Sequence, residues 1–174
     1  QNPLEHEGTY PLPEAQLDRF LLHVRIDYPS ADSERRILRL VRDEARDIHP
    51  NAIARMPQSA VFAARREVLE LYLAPALEEY LVQLVVATRR PDAYGEDLAG
   101  LVRCGASPRG TIALERCARA HAWLRGADFV TPEDVHAIAK DALRHRILLG
   151  FEAEADGWTP DSLLDVLLSR VPLV

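Results

Sequence analysis

The sequence predicts a mainly α fold: a small helical bundle over residues 30–174, preceded over residues 1–29 by a short strand and helix that expect a sheet the chain does not supply. Three observations carry this expectation. Apolar residues recur at helical spacing from Ser30 onward. Hydroxyl residues stand at successive helix starts, with proline directly after them at Ser107-Pro108, Thr131-Pro132 and Thr159-Pro160. Against these, a single short stretch, residues 21–26, alternates as a strand does.

Residues 1–13 are polar and turn-rich, with Pro3, Pro11, Pro13 and Gly8, and read as loop. Residues 13–20 form two helical turns, proline being tolerated at the start. Residues 21–26 read as a strand in which Leu21, Leu22, Val24 and Ile26 surround His23 and Arg25, ended by Tyr28-Pro29-Ser30. A lone strand makes no core, and its unpaired edge invites another chain. This piece therefore packs irregularly on the rest, pairs with another copy, or is the end of a severed domain.

Ser30 or Asp32 caps a helix carrying Ile37, Leu38, Leu40 and Val41, with Arg35, Arg36, Arg39 and Arg42 outside. Residues 47–57 read as irregular. A helix from Ser59 to about Leu71 breaks near Ala74-Pro75, and Pro75 opens another, with Leu77, Leu81, Leu84 and Val85 at helical spacing, until Arg90-Pro91 stops it. Residues 92–106, with glycines at 95, 100 and 105, read as loop. Ser107-Pro108 leads into Ile112, Cys117, Ala120 and Trp123 or Leu124. Thr131-Pro132-Glu133-Asp134 resembles a capping box with Asp in place of Glu or Gln, followed by Val135, Ile138, Ala139, Ala142 and Leu143. Thr159-Pro160-Asp161 starts the final helix, with Leu163, Leu164, Leu167, Leu168 and Val171.

The chain's 174 residues are 48% hydrophobic and 28% charged, which suits a folded domain and is too apolar for disorder. No run approaches the roughly 18 apolar residues of a membrane-spanning helix. The start at Gln1-Asn2-Pro3 lacks the basic flank and apolar stretch of a signal peptide, so a cytoplasmic location is expected. Cys104 and Cys117 make neither a disulfide framework nor a zinc cluster. A net charge of -6 sets up no general field over phosphates, which argues against nucleic acid as a partner. Lys140 is the only lysine among 21 basic residues, so no lysine is placed to serve a phosphate loop.

The histidines, at 6, 23, 49, 121, 136 and 145, fall in no metal-binding pair, and no hydrolytic triad is visible. His121 and His145 read as packing residues on helices, and Ser107 as a cap rather than a nucleophile. Arg109 projects from the first turn of a helix, where free backbone N–H groups favour an anion and a guanidinium adds a forked donor. Pairing with a neighbouring carboxylate, or simple solvation, is the alternative for Arg109 and equally for Arg19.

Residues Gln1-Asn2-Pro3 and the run from Glu7 through Leu17-Asp18-Arg19-Phe20 resemble the sensor 1 to arginine-finger segment of MoxR-type AAA+ ATPases. Thr88-Arg89, Gly105-Ala106-Ser107-Pro108-Arg109-Gly110 and Leu143-Arg144-His145-Arg146-Ile147 resemble the lid domain of that family, in the same order. The resemblance covers essentially the entire chain and the C-terminal half of such a protein. It implies that residues 1–29 are the end of an α/β ATPase core and residues 30–174 an AAA+ lid. Asn2 then corresponds to sensor 1, which orients the attacking water, Arg19 to the finger offered to a neighbour's nucleotide, and Arg109 to sensor 2, acting within its subunit or across to the next.

The same resemblance implies ATP and Mg2+ as ligands of the whole protein, held mainly by Walker A and Walker B segments expected before Gln1. This stretch alone is then expected neither to bind ATP well nor to hydrolyse it. Implied partners are neighbouring subunits of a hexameric ring and a client protein, such as one with a von Willebrand A-type domain, matured or activated in a chaperone-like way. The alternative is a nucleotide-independent helical protein-interaction module whose arginines pair with an acidic partner.

Overall fold

The computed structural model of the chain describes residues 12–48 and 55–173. In chain order its elements are α1 (Glu14–Leu17), α2 (Ala31–Glu44), α3 (Gln58–Glu70), α4 (Pro75–Arg89), β1 (Val102–Cys104), α5 (Pro108–Leu124), α6 (Pro132–Leu143), β2 (Leu148–Leu149), α7 (Phe151–Ala155) and α8 (Pro160–Arg170). The mainly helical class that the spacing predicts is what forms. The described residues divide into two units: a smaller one, Val24–Arg65, and a larger one that joins the segment ending at His23 to the chain from Arg66 onward.

In the smaller unit the Ser30 hydroxyl accepts a hydrogen bond from the Ser33 amide at 3.3 Å and caps α2 as the sequence predicts. The apolar stripe of α2, Ile37, Leu38, Leu40 and Val41, stays about half exposed, and no described residue of this unit is buried.

The core belongs to the larger unit. Leu77, Tyr80, Leu81 and Leu84 of α4 join Leu114 and Ala118 of α5, Val135 and Leu143 of α6, and Leu163 and Leu167 of α8. Each set falls at helical spacing, with Ala139 lying between Val135 and Leu143, so one stripe of each helix turns inward. Between α5 and α6, which pack closely, fully buried Ala118, Ala122, Ala139 and Ala142 are short enough to let the two axes approach.

Two expectations about irregular regions need correction. Residues 92–106 hold 3-10 turns at Pro91–Tyr94 and Glu96–Leu98 and then β1, which pairs antiparallel with β2 through Val102↔Leu149 and Cys104↔Leu148. Strands of two and three residues are too short to show an alternating pattern. The expected strand at 21–26 is absent: this stretch pairs with no neighbouring strand, and its His23 amide donates to the Asp141 carbonyl. Its carbonyls at Phe20, Leu21 and His23 are taken instead by side chains of the turn Arg144–Arg146, which satisfies them without a neighbouring strand. The irregular stretch expected at 47–57 lies partly outside the described residues, at 49–54.

Where α5 ends and α6 begins, one carboxylate ties the helices together. Asp134, 1% exposed, accepts from Arg125 Nε at 2.7 Å, shares a 2.8 Å hydrogen bond with His121 Nδ1, and accepts from the Thr131 amide at 2.8 Å. That last bond is the reciprocal half of the expected capping box. The Arg125 guanidinium chiefly holds the carboxyl well below the usual carboxylate range, against the opposing cost of burial, with His121 and Thr131 adding to it.

Replacing Asp134 with Ala strands several donors; because Arg125 and His121 are themselves partly solvated, the expected loss is about 2 kcal/mol, measured by urea unfolding at neutral pH. A depressed folded-state pKa contributes stability that is whole above the unfolded value of about 3.9 and is lost as pH falls below it. The gap between the parent and Asp134→Ala is therefore expected to narrow below about pH 4.

Candidate functional site

The N-terminus of α5 is held from behind. At Gly105 a Cβ would collide with the Thr88 carbonyl, so only glycine allows the loop this close to the end of α4. Thr88 Oγ1 then accepts from the Ala106 amide at 2.9 Å, and Arg89 Nε donates to the Ala106 carbonyl at 2.6 Å. With the loop pinned, the Ser107 hydroxyl accepts from the Arg109 amide at 3.2 Å and caps the helix, and Pro108 occupies its first position.

The same hydroxyl has a second use. Ser107 Oγ donates to both carboxylate oxygens of Asp18, each at 2.9 Å, just past the end of α1. The Arg109 guanidinium, its side chain about half exposed, lies 3.3 Å from Asp18 Oδ2. Arg146 Nε donates to Asp18 Oδ1 at 3.2 Å. One carboxylate thus receives bonds from Ser107, Arg109 and Arg146. It borders a recess of about 190 Å³ also lined by Cys104, Ser107, His145 and Arg146.

Arg146 is the buried member of this cluster, its side chain 3% exposed. Burial pulls its pKa below the ordinary arginine value, and the Asp18 carboxylate opposes that shift. Its Nη2 donates to the carbonyls of Asp18 and Phe20, at 3.2 and 2.6 Å, and its Nη1 to those of Leu21 and Ala142. His145, beside it, is half-buried, with Nε2 3.1 Å from the Phe20 carbonyl and its ring 5.8 Å from that of His23. Its role as a packing residue is what the sequence predicts.

Of the predicted site residues, Asn2 lies outside the described residues. Arg19 is exposed, with no ion pair among the described residues. Arg109 adopts the alternative the sequence left open, a pair with a nearby carboxylate, and that carboxylate belongs to the residue just before Arg19. Asp18 and Arg146 were not singled out. Both stand inside recognisable motifs, but they are 128 positions apart, and nothing in their spacing reveals that they meet. Among the described residues no group of three or more His, Cys, Asp or Glu side chains is arranged to hold a metal ion.

The family described as the AAA lid domain matches residues 98–166, and the ATPase family associated with various cellular activities (AAA) matches residues 1–22. The chain is 38% identical over 181 aligned residues to Chaperone MoxR1 of Mycobacterium tuberculosis, covering 99% of this chain and 45% of that protein. It is 33% identical to Protein MoxR of Paracoccus denitrificans, over 99% of this chain and 54% of the relative.

The chain belongs to the MoxR family of AAA+ ATPases. A solved structure from Cytophaga hutchinsonii, provisionally described as an ATPase, superposes with a TM-score of 0.93 at 38% identity, over 100% of this chain and 52% of that one. This MoxR-type chain spans about half the length of the curated relatives it matches. Both family matches reach the site: the AAA match ends just past Arg19, and the lid match includes Ser107, Arg109 and Arg146.

Burial is the chief cause that pushes His145 below its ordinary pKa, with Arg146 and His23 acting the same way and the Phe20 carbonyl and Asp18 opposing. Folding thus favours the neutral imidazole, and its contribution to stability is lost as pH falls below the unfolded value of about 6.5. An NMR titration of the chain is expected to give His145 a midpoint below 6.5, the ordinary value for histidine; a midpoint at or above it contradicts the packing described.

Proposed function

We propose that this chain is the finger-bearing end and lid of a ring-forming MoxR-type ATPase that couples ATP hydrolysis to chaperone-like maturation or activation of partner proteins. The observation that carries this reading is the ion pair between Arg109 and Asp18, because it brings the helix start bearing one candidate phosphate ligand against the residue preceding the other, Arg19. In this reading residues 1–29 close an ATPase core and residues 30–174 form the lid.

The chemistry suits these side chains. In phosphoryl transfer negative charge develops on the terminal oxygens and the leaving bridge, and a held guanidinium stabilises it. Arg19, exposed and without an ion pair among the described residues, is available to be offered across a subunit boundary. Arg109 reaches a phosphate by exchanging the Asp18 carboxylate for a phosphoryl oxygen, at a capped helix end already suited to anions. Their common anchor favours both arginines serving the same nucleotide, that of the neighbouring subunit.

Asn2, outside the described residues, keeps the role that the resemblance implies: an amide both donates and accepts, as orienting a water requires. The described residues suit a phosphate and not a cation, so Mg2+ is held elsewhere in this reading. The ring is proposed to be hexameric, with a client that carries, for example, a von Willebrand A-type domain. Among the described residues no helix is long and apolar enough to cross a membrane; a cytoplasmic location is proposed with the rest.

The test uses a full-length protein carrying this chain. Arg19→Ala is expected to lower ATP turnover by about a hundredfold or more while nucleotide affinity changes little. Mixing it with a subunit that has an intact Arg19 but a defective phosphate loop is expected to restore turnover. Failure of the mixture to recover activity overturns action across subunits. An assembled protein that hydrolyses no ATP favours the nucleotide-independent interaction module instead.

A further inference from the structure

We propose that Arg146 is a positioning residue for Arg19: its buried guanidinium grips the backbone on both sides of Arg19 and so sets where that exposed side chain begins. This role rests on the reading of Arg19 as the finger. A guanidinium withdrawn from water is costly unless its N–H groups find acceptors. Those of Arg146 find them on one short segment: the Asp18 carboxylate at 3.2 Å, the Asp18 carbonyl at 3.2 Å, the Phe20 carbonyl at 2.6 Å and the Leu21 carbonyl at 3.4 Å. The carbonyl of Ala142, one turn earlier in its own stretch of chain, and His145 Nε2, at 2.9 Å, are its remaining partners.

The distribution of these bonds is what separates positioning from mere packing. They bracket residue 19 and leave its side chain untouched, so the backbone on either side of Arg19 is held while its guanidinium stays in solvent. Neighbouring bonds reinforce the hold: the His23 amide donates to the Asp141 carbonyl at 2.8 Å, and Arg144 donates to the His23 carbonyl at 2.6 Å. Arg144, however, is also committed to Asp161 at 2.8 Å, whereas Arg146 directs most of its donors to residues 18–21. The planar fork is essential to this pattern. A lysine at 146 keeps a positive charge beside Asp18 but cannot reach carbonyls on two sides at once.

In the full-length protein, Arg146→Lys and Arg146→Gln are each expected to lower kcat for ATP on the order of ten- to a hundredfold, with KM for ATP within about twofold. Combined with Arg19→Ala, neither is expected to lower kcat further, because both act through the same guanidinium. Hydrogen exchange at the Phe20 and His23 amides is expected to quicken in both variants while amides of α5 and α6 keep their protection. Should Arg146→Gln fail to fold, Arg146→Lys carries the test.

Unchanged kcat in a folded Arg146→Lys protein overturns the proposal, as does a further fall in the Arg19→Ala background. If Arg19→Ala alone leaves turnover intact, the finger reading fails and the positioning role falls with it. A large effect of Arg19→Ala beside an inert Arg146→Lys overturns the role of Arg146 alone.

Discussion

A guanidinium out of water must have acceptors, and in this protein the demand is met by the backbone of a segment far away in sequence. Arg146 sits among residues of the lid, and the carbonyls it needs lie after α1. Ser107 and Arg109 also bond to Asp18, but among these side chains Arg146 alone reaches the backbone on both sides of residue 19. The apolar side chains of this segment do not do it: Phe20, Leu21 and Leu22 remain between about a third and a half exposed. The segment is held by directional polar bonds to a buried charge, so its position is well defined without being deeply packed.

Asp18 turns that attachment into a junction. Ser107, Arg109 and Arg146 all bond to it, so the start of α5 and the turn after α6 converge on one carboxylate. At the far end of α5 a second carboxylate, Asp134, repeats the device by tying His121 and Arg125 to the first turn of α6. The two acids differ in what surrounds them. Asp134 is enclosed and its bonds serve the helix pair, whereas Asp18 faces a recess, partly exposed itself, with its partner Arg109 half in solvent as well. A partly hydrated ion pair exchanges partners at small cost, which is what a ligand competing for Arg109 requires.

Much of this fold was legible because its signals are local. The caps at Ser30, Ser107 and Thr159 and the box at Thr131 need only a few neighbouring residues to act, and each stands where its helix begins. The alternation at residues 21–26 was equally visible but misleading. A strand is defined by a partner, and here side chains of Arg144 and Arg146 reach the carbonyls instead. Arg19 and Arg109 could be nominated from motif and helix position. Asp18 and Arg146 could not be matched to each other, because charge complementarity between residues so distant leaves no trace in spacing.

The doubly engaged hydroxyl of Ser107 restricts what can stand at that position. Aspartate caps helices as well as serine does, yet here it would set two carboxylates against each other in place of a hydroxyl donor. Alanine would forfeit the cap and the bond to Asp18 together. The caps at Ser30 and Thr159, whose side-chain bonds stay within their own first turns, face no such conflict. Tolerance to acidic replacement should thus differ among chemically similar helix starts, according to which anion already waits beside them.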